Sequence, residues 1–169
     1  MERIREIVEE FQNKCFDNFD EFYHLTSKIL YVVIHDIVRN QSDTEDLMQD
    51  TYMKFLQHID DCSSSWSPQA YLMKIGKNNA INFYNKKKHE LVDDEVIDAI
   101  PTTEPDEPRV ELEIINLLKG TEKEIVEMHI VGDLKFREIA DILDKPLGTV
   151  LWSYNKAIKF LRKEVAKNE

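Results

Sequence analysis

Cysteine and glycine are both scarce in this chain. Its 169 residues include two cysteines, Cys15 and Cys62, and four glycines. Two distant thiols cannot form a disulfide framework or supply a cysteine-rich zinc site, so we expect neither a metal nor another cofactor. Because runs of alternating β-branched residues are also almost absent, the pattern predicts an all-α fold.

Long apolar runs are missing as well. The first ten residues, MERIREIVEE, are charged from the start, unlike a secretory signal peptide with its apolar core. No run approaches the roughly 18 consecutive apolar residues of a membrane-spanning helix. We therefore expect a cytoplasmic protein with no membrane insertion.

Acidic side chains are absent from one stretch of an otherwise acidic protein. The formal net charge is -11, yet residues 62–89 contain no Asp or Glu and carry five lysines. We call residues 62–89 the acid-free window. A second basic segment, residues 144–169, carries +3, whereas residues 1–61 and 90–113 carry -8 and -9. Two basic islands in an acidic chain indicate contact with nucleic acid.

Apolar residues at helical spacing predict three helices in the first half of the chain. The first runs from Asn18 to Arg39. The sequence SDTE (Ser42–Glu45) predicts a capping box that opens the second, which continues to about Ile59. After a serine-rich loop, Pro68 suits the first turn of a third helix that reaches the lysine cluster.

The stretch from Leu91 to Arg109 interrupts the helical pattern. It contains three prolines, seven acidic residues and no aromatic ring, a composition typical of an extended linker. We therefore predict two small helical domains, residues 1–90 and 110–169, joined by an acidic linker over residues 91–109.

Shorter helices are predicted after the linker. One covers residues 110–118, and TEKE (Thr121–Glu124) predicts a second capping box, at the start of a helix that stops near Gly132. Beyond it, a short helix, a tight turn at residues 144–146 and a longer helix form the pattern of a helix-turn-helix. The longer helix is expected to expose Thr149, Ser153, Lys156, Lys159, Arg162 and Lys163.

The residue types in the acid-free window match those of a surface that binds single-stranded or opened DNA. Lysines neutralise phosphates, aromatic rings stack on bases and amides reach base edges. The ordinary alternative is a solvated lysine face above a core that contains the rings. The amides are Asn78, Asn79, Asn82 and Asn85, and the rings are those of Trp66, Tyr71, Phe83 and Tyr84.

Polar side chains crowd the start of the second predicted helix, at Glu45, Asp46, Gln49 and Asp50. A favourable interaction with the helix dipole is one explanation. A Mg²⁺ site like that of the all-α nucleotide pyrophosphohydrolases would need carboxylates on a facing helix, and the following helix has none. The third explanation is a protein-binding face whose acids steer a basic partner.

Three of these segments, in this order, resemble the sigma-70 family of RNA polymerase sigma factors, and the two-domain arrangement resembles its extracytoplasmic-function group. DTEDLMQDTYMKFL is similar to the family's polymerase-binding stretch. YLMKIGKNNAINFYNKKKH is similar to its -10 recognition and promoter-melting helix, and KFREIADILDKPLGTVLWSYNKAIKFL to its -35-binding helix-turn-helix. The resemblance implies a non-enzymatic subunit that binds core RNA polymerase, directs it to promoters and assists strand opening.

The resemblance also implies roles for individual residues. Asp46, Gln49 and Asp50 would face the clamp helices of the polymerase β′ subunit, while the C-terminal domain would dock on the β-flap. Promoter DNA at the -10 element would contact Ser63, Ser64, Ser65, Trp66, Tyr71, Lys74, Lys77, Asn78, Lys86, Lys87 and Lys88. The -35 element would contact Thr149, Trp152, Ser153, Lys156 and Lys159. Many members of the family are held inactive by an anti-sigma factor, which is a further candidate partner.

The sequence departs from the family in the recognition helix. Gly-Thr-Val is usually followed by Lys-Ser-Arg, and here Leu151, Trp152 and Ser153 follow it. Two rival interpretations stay open beside the resemblance. An autonomous helix-turn-helix regulator would need self-association to occupy two half-sites, and a carboxylate-metal hydrolase would need Mg²⁺-dependent turnover of a nucleoside triphosphate.

Deleting residues 92–108 is expected to strengthen the binding of the isolated protein to DNA. The seven acidic residues of this stretch would compete with phosphates for the two basic islands, so their removal leaves more lysines for DNA. The test compares the dissociation constants of the full-length and shortened proteins for one duplex at matched low salt. Equal constants would contradict the expectation.

Overall fold

The computed structural model describes residues 2–62, 67–92 and 114–167, with side chains described as far as Lys88 in the second range. These residues fold almost entirely into α-helices, which confirms the all-α prediction for them. The chain divides into two compact units, Met1–Thr103 and Glu104–Glu169. Residues 93–109 of the predicted linker and residues 110–113 of the helix predicted after it lie outside the described residues.

The described residues of the first unit form four α-helices. They are α1 (Glu2–Gln12), α2 (Phe19–Val38), α3 (Gln41–Gln57) and α4 (Pro68–Val92), and a 3-10 turn at Ile59–Asp61 follows α3. Helices α2, α3 and α4 pack against one another, and α1 lies against α2, α4 and the 3-10 turn. The three helices predicted for this half are therefore present, with Pro68 as the first residue of α4.

The sequence pattern did not predict α1. Its apolar residues Ile4, Ile7, Val8 and Phe11 are buried, and their spacing of three, one and three residues is that of an amphipathic helix. Charged residues lie between these apolar positions and obscure the helical pattern in the sequence. The apolar spacing was the signal that could have identified it.

Aromatic side chains join α1, α2 and α3. Phe11, Phe22 and Phe55 are fully buried. The ring of Phe22 stacks on Phe55 with centroids 5.3 Å apart and meets Phe11 edge-on at 5.5 Å. Large apolar rings bury more area than other side chains and prefer such offset or edge-on contacts. This cluster therefore holds α1 on the rest of the unit.

Both capping-box predictions are wrong. Helix α3 begins at Gln41, and the extended residue Asn40 caps it, because Asn40 Oδ1 accepts a hydrogen bond of 2.9 Å from the Asp43 amide. An Asn at the N-cap satisfies a free amide as well as a Ser would, so the cap lies two residues before Ser42. The second capping box was predicted at Thr121–Glu124. The helix there begins at Gly120, so Thr121 lies inside it, and the N-cap residue Lys119 makes no side-chain capping hydrogen bond.

The second unit contains three fully described helices. They are α5 (Gly120–Ile130), α6 (Phe136–Ile142) and α7 (Leu147–Val165). Asp144 adopts a left-handed conformation, with φ of 49°, in the turn between α6 and α7, and Asp tolerates that conformation better than most residues. The helix and turn boundaries thus match the predicted helix-turn-helix.

A buried cluster and an aromatic group hold the second unit together. The cluster consists of Ile115, Leu118, Val126, Ala157 and Leu161. The His129 ring stacks on Phe136 at 4.2 Å and meets Tyr154 edge-on at 5.1 Å, so one residue from each of the three helices takes part. His129 Nδ1 also lies 2.8 Å from the Leu134 carbonyl oxygen.

Helix α4 approaches α2 closely at Gly76. A Cβ atom added there would lie 2.6 Å from Leu30 Cδ1 and 3.5 Å from Thr51 Cγ2. Leu30 is fully buried, so its side chain can move only if the core repacks. A larger residue at this crossing would force the Leu30 side chain to shift.

The substitution Gly76→Ala is expected to lower the free energy of unfolding by about 1 kcal/mol. Overpacking a core costs about 1–3 kcal/mol. The higher helix propensity of Ala compared with Gly offsets up to about 1 kcal/mol of this cost. The control is Gly148→Ala in α7, where an added Cβ meets nothing within 4 Å. Urea unfolding followed by circular dichroism should show that the control keeps or gains stability. Equal effects of the two substitutions would contradict the close approach at Gly76.

Candidate functional site

One face of α3 carries the residues predicted to bind a protein partner. Asp46, Gln49 and Asp50 are exposed, and their spacing places them in one stripe along the helix. The opposite face of α3 is buried and includes Leu47, Met48, Thr51, Tyr52 and Phe55. Core packing thus determines which side of α3 stays free for a partner.

Met53 extends the same stripe and was missed in the sequence. Its side chain is 59% exposed, and it follows Gln49 and Asp50 by four and three residues. An exposed flexible apolar side chain among carboxylates can serve as an adaptable contact for a partner. Its position seven residues after Asp46 was the signal that could have identified it.

Helix α4 carries most of the described part of the acid-free window. Asn78 and Lys86, Lys87 and Lys88 are exposed, and Tyr71, Lys74 and Lys77 are half-buried. Burial raises the pKa of the Tyr71 hydroxyl, with a smaller contribution from the Asp61 carboxylate, so the phenol stays neutral at physiological pH. Ser63, Ser64, Ser65 and Trp66 lie outside the described residues.

Asn79, one of the four amides of the acid-free window, is buried between α4 and α3. Its side chain is hydrogen-bonded at both ends. Asn79 Nδ2 donates to Thr51 Oγ1 at 3.0 Å, and Asn79 Oδ1 accepts from Lys54 Nζ at 2.7 Å. Asn79 is therefore a link between the two helices, and its neighbour Asn78 faces outward.

An ion pair joins the end of the acid-free window to the start of α3. Lys87 Nζ lies 2.9 Å from Asp43 Oδ2 and 5.5 Å from the centroid of the Phe83 ring. The ammonium group thus has both a carboxylate and an aromatic face beside it.

Helix α7 presents four of its five predicted DNA contacts to solvent. Thr149, Trp152, Lys156 and Lys159 are exposed, and the Trp152 side chain reaches 64% exposure. Lys156 Nζ lies 2.6 Å from Glu122 Oε1 on α5 and 5.3 Å from the centroid of the Trp152 ring.

The expectation that Ser153 is exposed is wrong. Its side chain is 7% exposed, and it lies in a buried stripe with Val150, Ala157 and Leu161. The apolar residues Tyr154 and Ile158 lie at the edge of this stripe. Both are only partly buried.

Neither a metal-binding cluster nor a membrane-spanning helix is present in the part of the chain that the structure describes. Residues 2–62, 67–92 and 114–167 contain no group of three or more metal-binding side chains. In the same ranges no helix is both long enough and apolar enough to cross a membrane.

The known proteins to which this chain is similar are RNA polymerase sigma factors. Residues 22–90 match the model of sigma-70 region 2. RNA polymerase sigma factor SigV of Bacillus subtilis is 28% identical, over 90% of this chain and 89% of that protein. ECF RNA polymerase sigma factor SigM of the same organism is 23% identical, over 74% of this chain and 81% of that protein.

Two solved structures share the fold. The sigma factor RpoE of Bartonella quintana, crystallised with the anti-sigma factor NepR, has a TM-score of 0.66 and 19% identity, covering 90% of this chain and 99% of that chain. CnrH, in complex with the cytosolic domain of CnrY, has a TM-score of 0.61 and 15% identity, covering 98% of each chain. At these identities the likeness concerns the fold.

Two adjacent asparagines allow a test of the link between α3 and α4. Asn79→Ala is expected to lower the free energy of unfolding by about 1–3 kcal/mol, because it removes one buried and one partly buried hydrogen bond and leaves a cavity. Asn78→Ala should change it by less than about 0.5 kcal/mol, as exposed substitutions usually do. Urea unfolding of both variants measures the difference. Equal stability of the two variants would show that the Asn79 hydrogen bonds do not hold the helices.

Proposed function

We propose that this chain belongs to the sigma-70 family, in its extracytoplasmic-function group, and that its two helical units have separate roles in promoter recognition. It is an alternative sigma factor that directs transcription initiation. Sigma factors in general are not enzymes. We propose that this chain likewise contributes recognition, while the polymerase performs the chemistry in the cytoplasm.

The exposed stripe of α3 is the proposed contact with core RNA polymerase. Asp46, Gln49 and Asp50 face the clamp helices of the β′ subunit, and Met53 adds an apolar contact at the end of the same stripe. Carboxylates speed the encounter with a basic partner, and an apolar residue within the contact excludes water. The single observation that carries this proposal is that the core leaves these four side chains exposed together.

The acid-free window is the proposed surface for the -10 element and its opened strand. The surface contains the ring of Tyr71, the amide of Asn78 and the cations of Lys74, Lys77 and Lys86–Lys88. Residues 63–66, before α4, would complete the site. The bonds of Asn79 to Thr51 and Lys54 support this assignment. Because they tie α4 to α3, docking of α3 on the polymerase also sets the position of the DNA-facing helix.

The helix-turn-helix is the proposed reader of the -35 element. Thr149, Trp152, Lys156 and Lys159 lie on the exposed side of α7, where a recognition helix enters the major groove. The burial of Ser153 argues against a direct base contact by that residue. We propose that this unit also docks on the β-flap of the polymerase.

An anti-sigma factor is the proposed inhibitory partner. RpoE was solved with the anti-sigma factor NepR, and CnrH was solved with the cytosolic domain of CnrY. The similar fold of this chain supports a partner of the same kind. No observation favours the autonomous helix-turn-helix regulator over the sigma factor.

The test of the polymerase contact is co-elution with bacterial core RNA polymerase. The variant carrying Asp46→Ala, Gln49→Ala and Asp50→Ala should lose at least about 30-fold in affinity for core, since central contacts of an interface are typically worth 2 kcal/mol or more. The control removes two exposed acids from elsewhere in the same unit, Glu2→Ala with Asp20→Ala, and should bind as the wild type does.

Two outcomes would contradict the proposal. Undiminished binding of the triple variant would remove the α3 stripe from the interface. Failure of the wild type to bind core, together with a shift of duplex DNA by the chain alone, would favour the autonomous regulator.

A further inference from the structure

The two units repeat one arrangement of three side chains. In each, a lysine of the proposed DNA surface lies over an aromatic ring four residues earlier in its own helix and pairs with a carboxylate on another helix. In α4, Lys87 lies over Phe83 and pairs with Asp43 of α3. In α7, Lys156 lies over Trp152 and pairs with Glu122 of α5. We call these the Asp43 clamp and the Glu122 clamp.

The carboxylates are the fixed members of the clamps. The lysine side chains are 53% and 56% exposed, whereas those of Asp43 and Glu122 are 26% and 27% exposed. Each acid also lies in the first turn of its helix, where the helix dipole favours a negative charge. The acid therefore keeps its place, and the long lysine side chain is the part that can exchange partners.

A paired lysine attracts DNA less than an unpaired one does. Affinity for DNA comes largely from cations that neutralise phosphates. An ammonium group and the carboxylate paired with it have no net charge together, so the pair attracts a phosphate less than the lysine alone would. To contact a phosphate, Lys87 or Lys156 must give up or share its carboxylate. The same movement uncovers the face of Phe83 or Trp152, to which a base can then make a stacking or apolar contact.

We propose that Asp43 and Glu122 are positioning residues for DNA. Each holds one DNA-facing lysine over its ring and cancels its charge, so that the free chain binds DNA weakly and the contacts form when polymerase supplies the remaining affinity. The clamps differ in their targets, because the acid-free window is the proposed site for the opened strand and α7 the proposed site for duplex. The proposal rests on the proposed function and adds two residues to it.

A purely structural role is the alternative for these ion pairs. Exposed pairs contribute only about 0–1 kcal/mol to stability, so unfolding data cannot separate the two roles. DNA binding can, because removing a clamping carboxylate should raise affinity only while the lysine is present.

The experiment measures binding of the full chain to two fluorescent probes, a 30-nucleotide single strand and the corresponding 30-base-pair duplex, over a range of salt concentrations. Asp43→Asn should bind the single strand about two- to fivefold more tightly, the factor that corresponds to the usual worth of an exposed ion pair. Glu122→Gln should do the same for the duplex. Each variant should also steepen the dependence of log affinity on log salt, by up to about 0.9 for one additional phosphate contact.

Charge-matched controls separate the clamps from a general gain in positive charge. Asp20→Asn in the first unit and Asp133→Asn in the second change the net charge equally at exposed positions away from Lys87 and Lys156. The second set of controls repeats Asp43→Asn with Lys87→Gln, and Glu122→Gln with Lys156→Gln. In these backgrounds the gain in affinity should disappear.

The proposal is overturned if the clamp variants bind no better than the charge-matched controls, if the gain survives loss of the lysine, or if no variant binds either probe at the lowest salt. Co-elution with core RNA polymerase is measured in parallel on every variant. Retained binding to core with unchanged DNA affinity would reject the clamps and leave the proposed function intact. Loss of binding to core by the wild type would reject the proposed function itself.

Discussion

The hydrogen bonds that Asn79 makes with Thr51 and Lys54 are the constraint on which both proposed surfaces of the first unit depend. A buried amide without partners costs about 1–3 kcal/mol, so α4 has one favourable rotation against α3. In that rotation Asn78 faces outward on α4, and the Asp46 stripe faces outward on α3. The close approach of Gly76 to Leu30 fixes the same helix against α2. The helix proposed to face the polymerase and the helix proposed to face DNA are thus held against each other.

The distribution of charge follows from this geometry. The chain is acidic overall, which opposes contact with DNA at a distance, and its two basic islands are partly neutralised by acids that the fold brings beside them. The proposed promoter surfaces therefore carry the cations that DNA contact needs, and the paired acids are proposed to keep the binding of the free chain to DNA weak. A subunit that must act only within a larger complex requires both properties.

Much of the fold could be predicted from the sequence because it depends on local patterns. Apolar spacing located α2, α3, α4 and the helix-turn-helix, and the absence of acids marked the window on α4. The errors arose where neighbouring residues compete for one structural position, such as a helix cap or a buried site. Asn40 rather than Ser42 caps α3, and Ser153 occupies a buried position on α7. The pairs Asp43–Lys87 and Glu122–Lys156 join residues 44 and 34 positions apart, and no local pattern encodes such contacts.

The neighbouring asparagines of α4 have a consequence for the divergence of such proteins. Asn79 makes the helix contact, whereas Asn78 faces outward. Under the proposed function, selection for stability acts at Asn79, and selection for promoter preference acts at Asn78. Substitutions at the outward positions leave the packing unchanged, and so they can accumulate without a penalty in folding. With the proposed division of surfaces, duplicated copies can acquire separate sets of target genes while each keeps the α3 surface proposed for the shared polymerase.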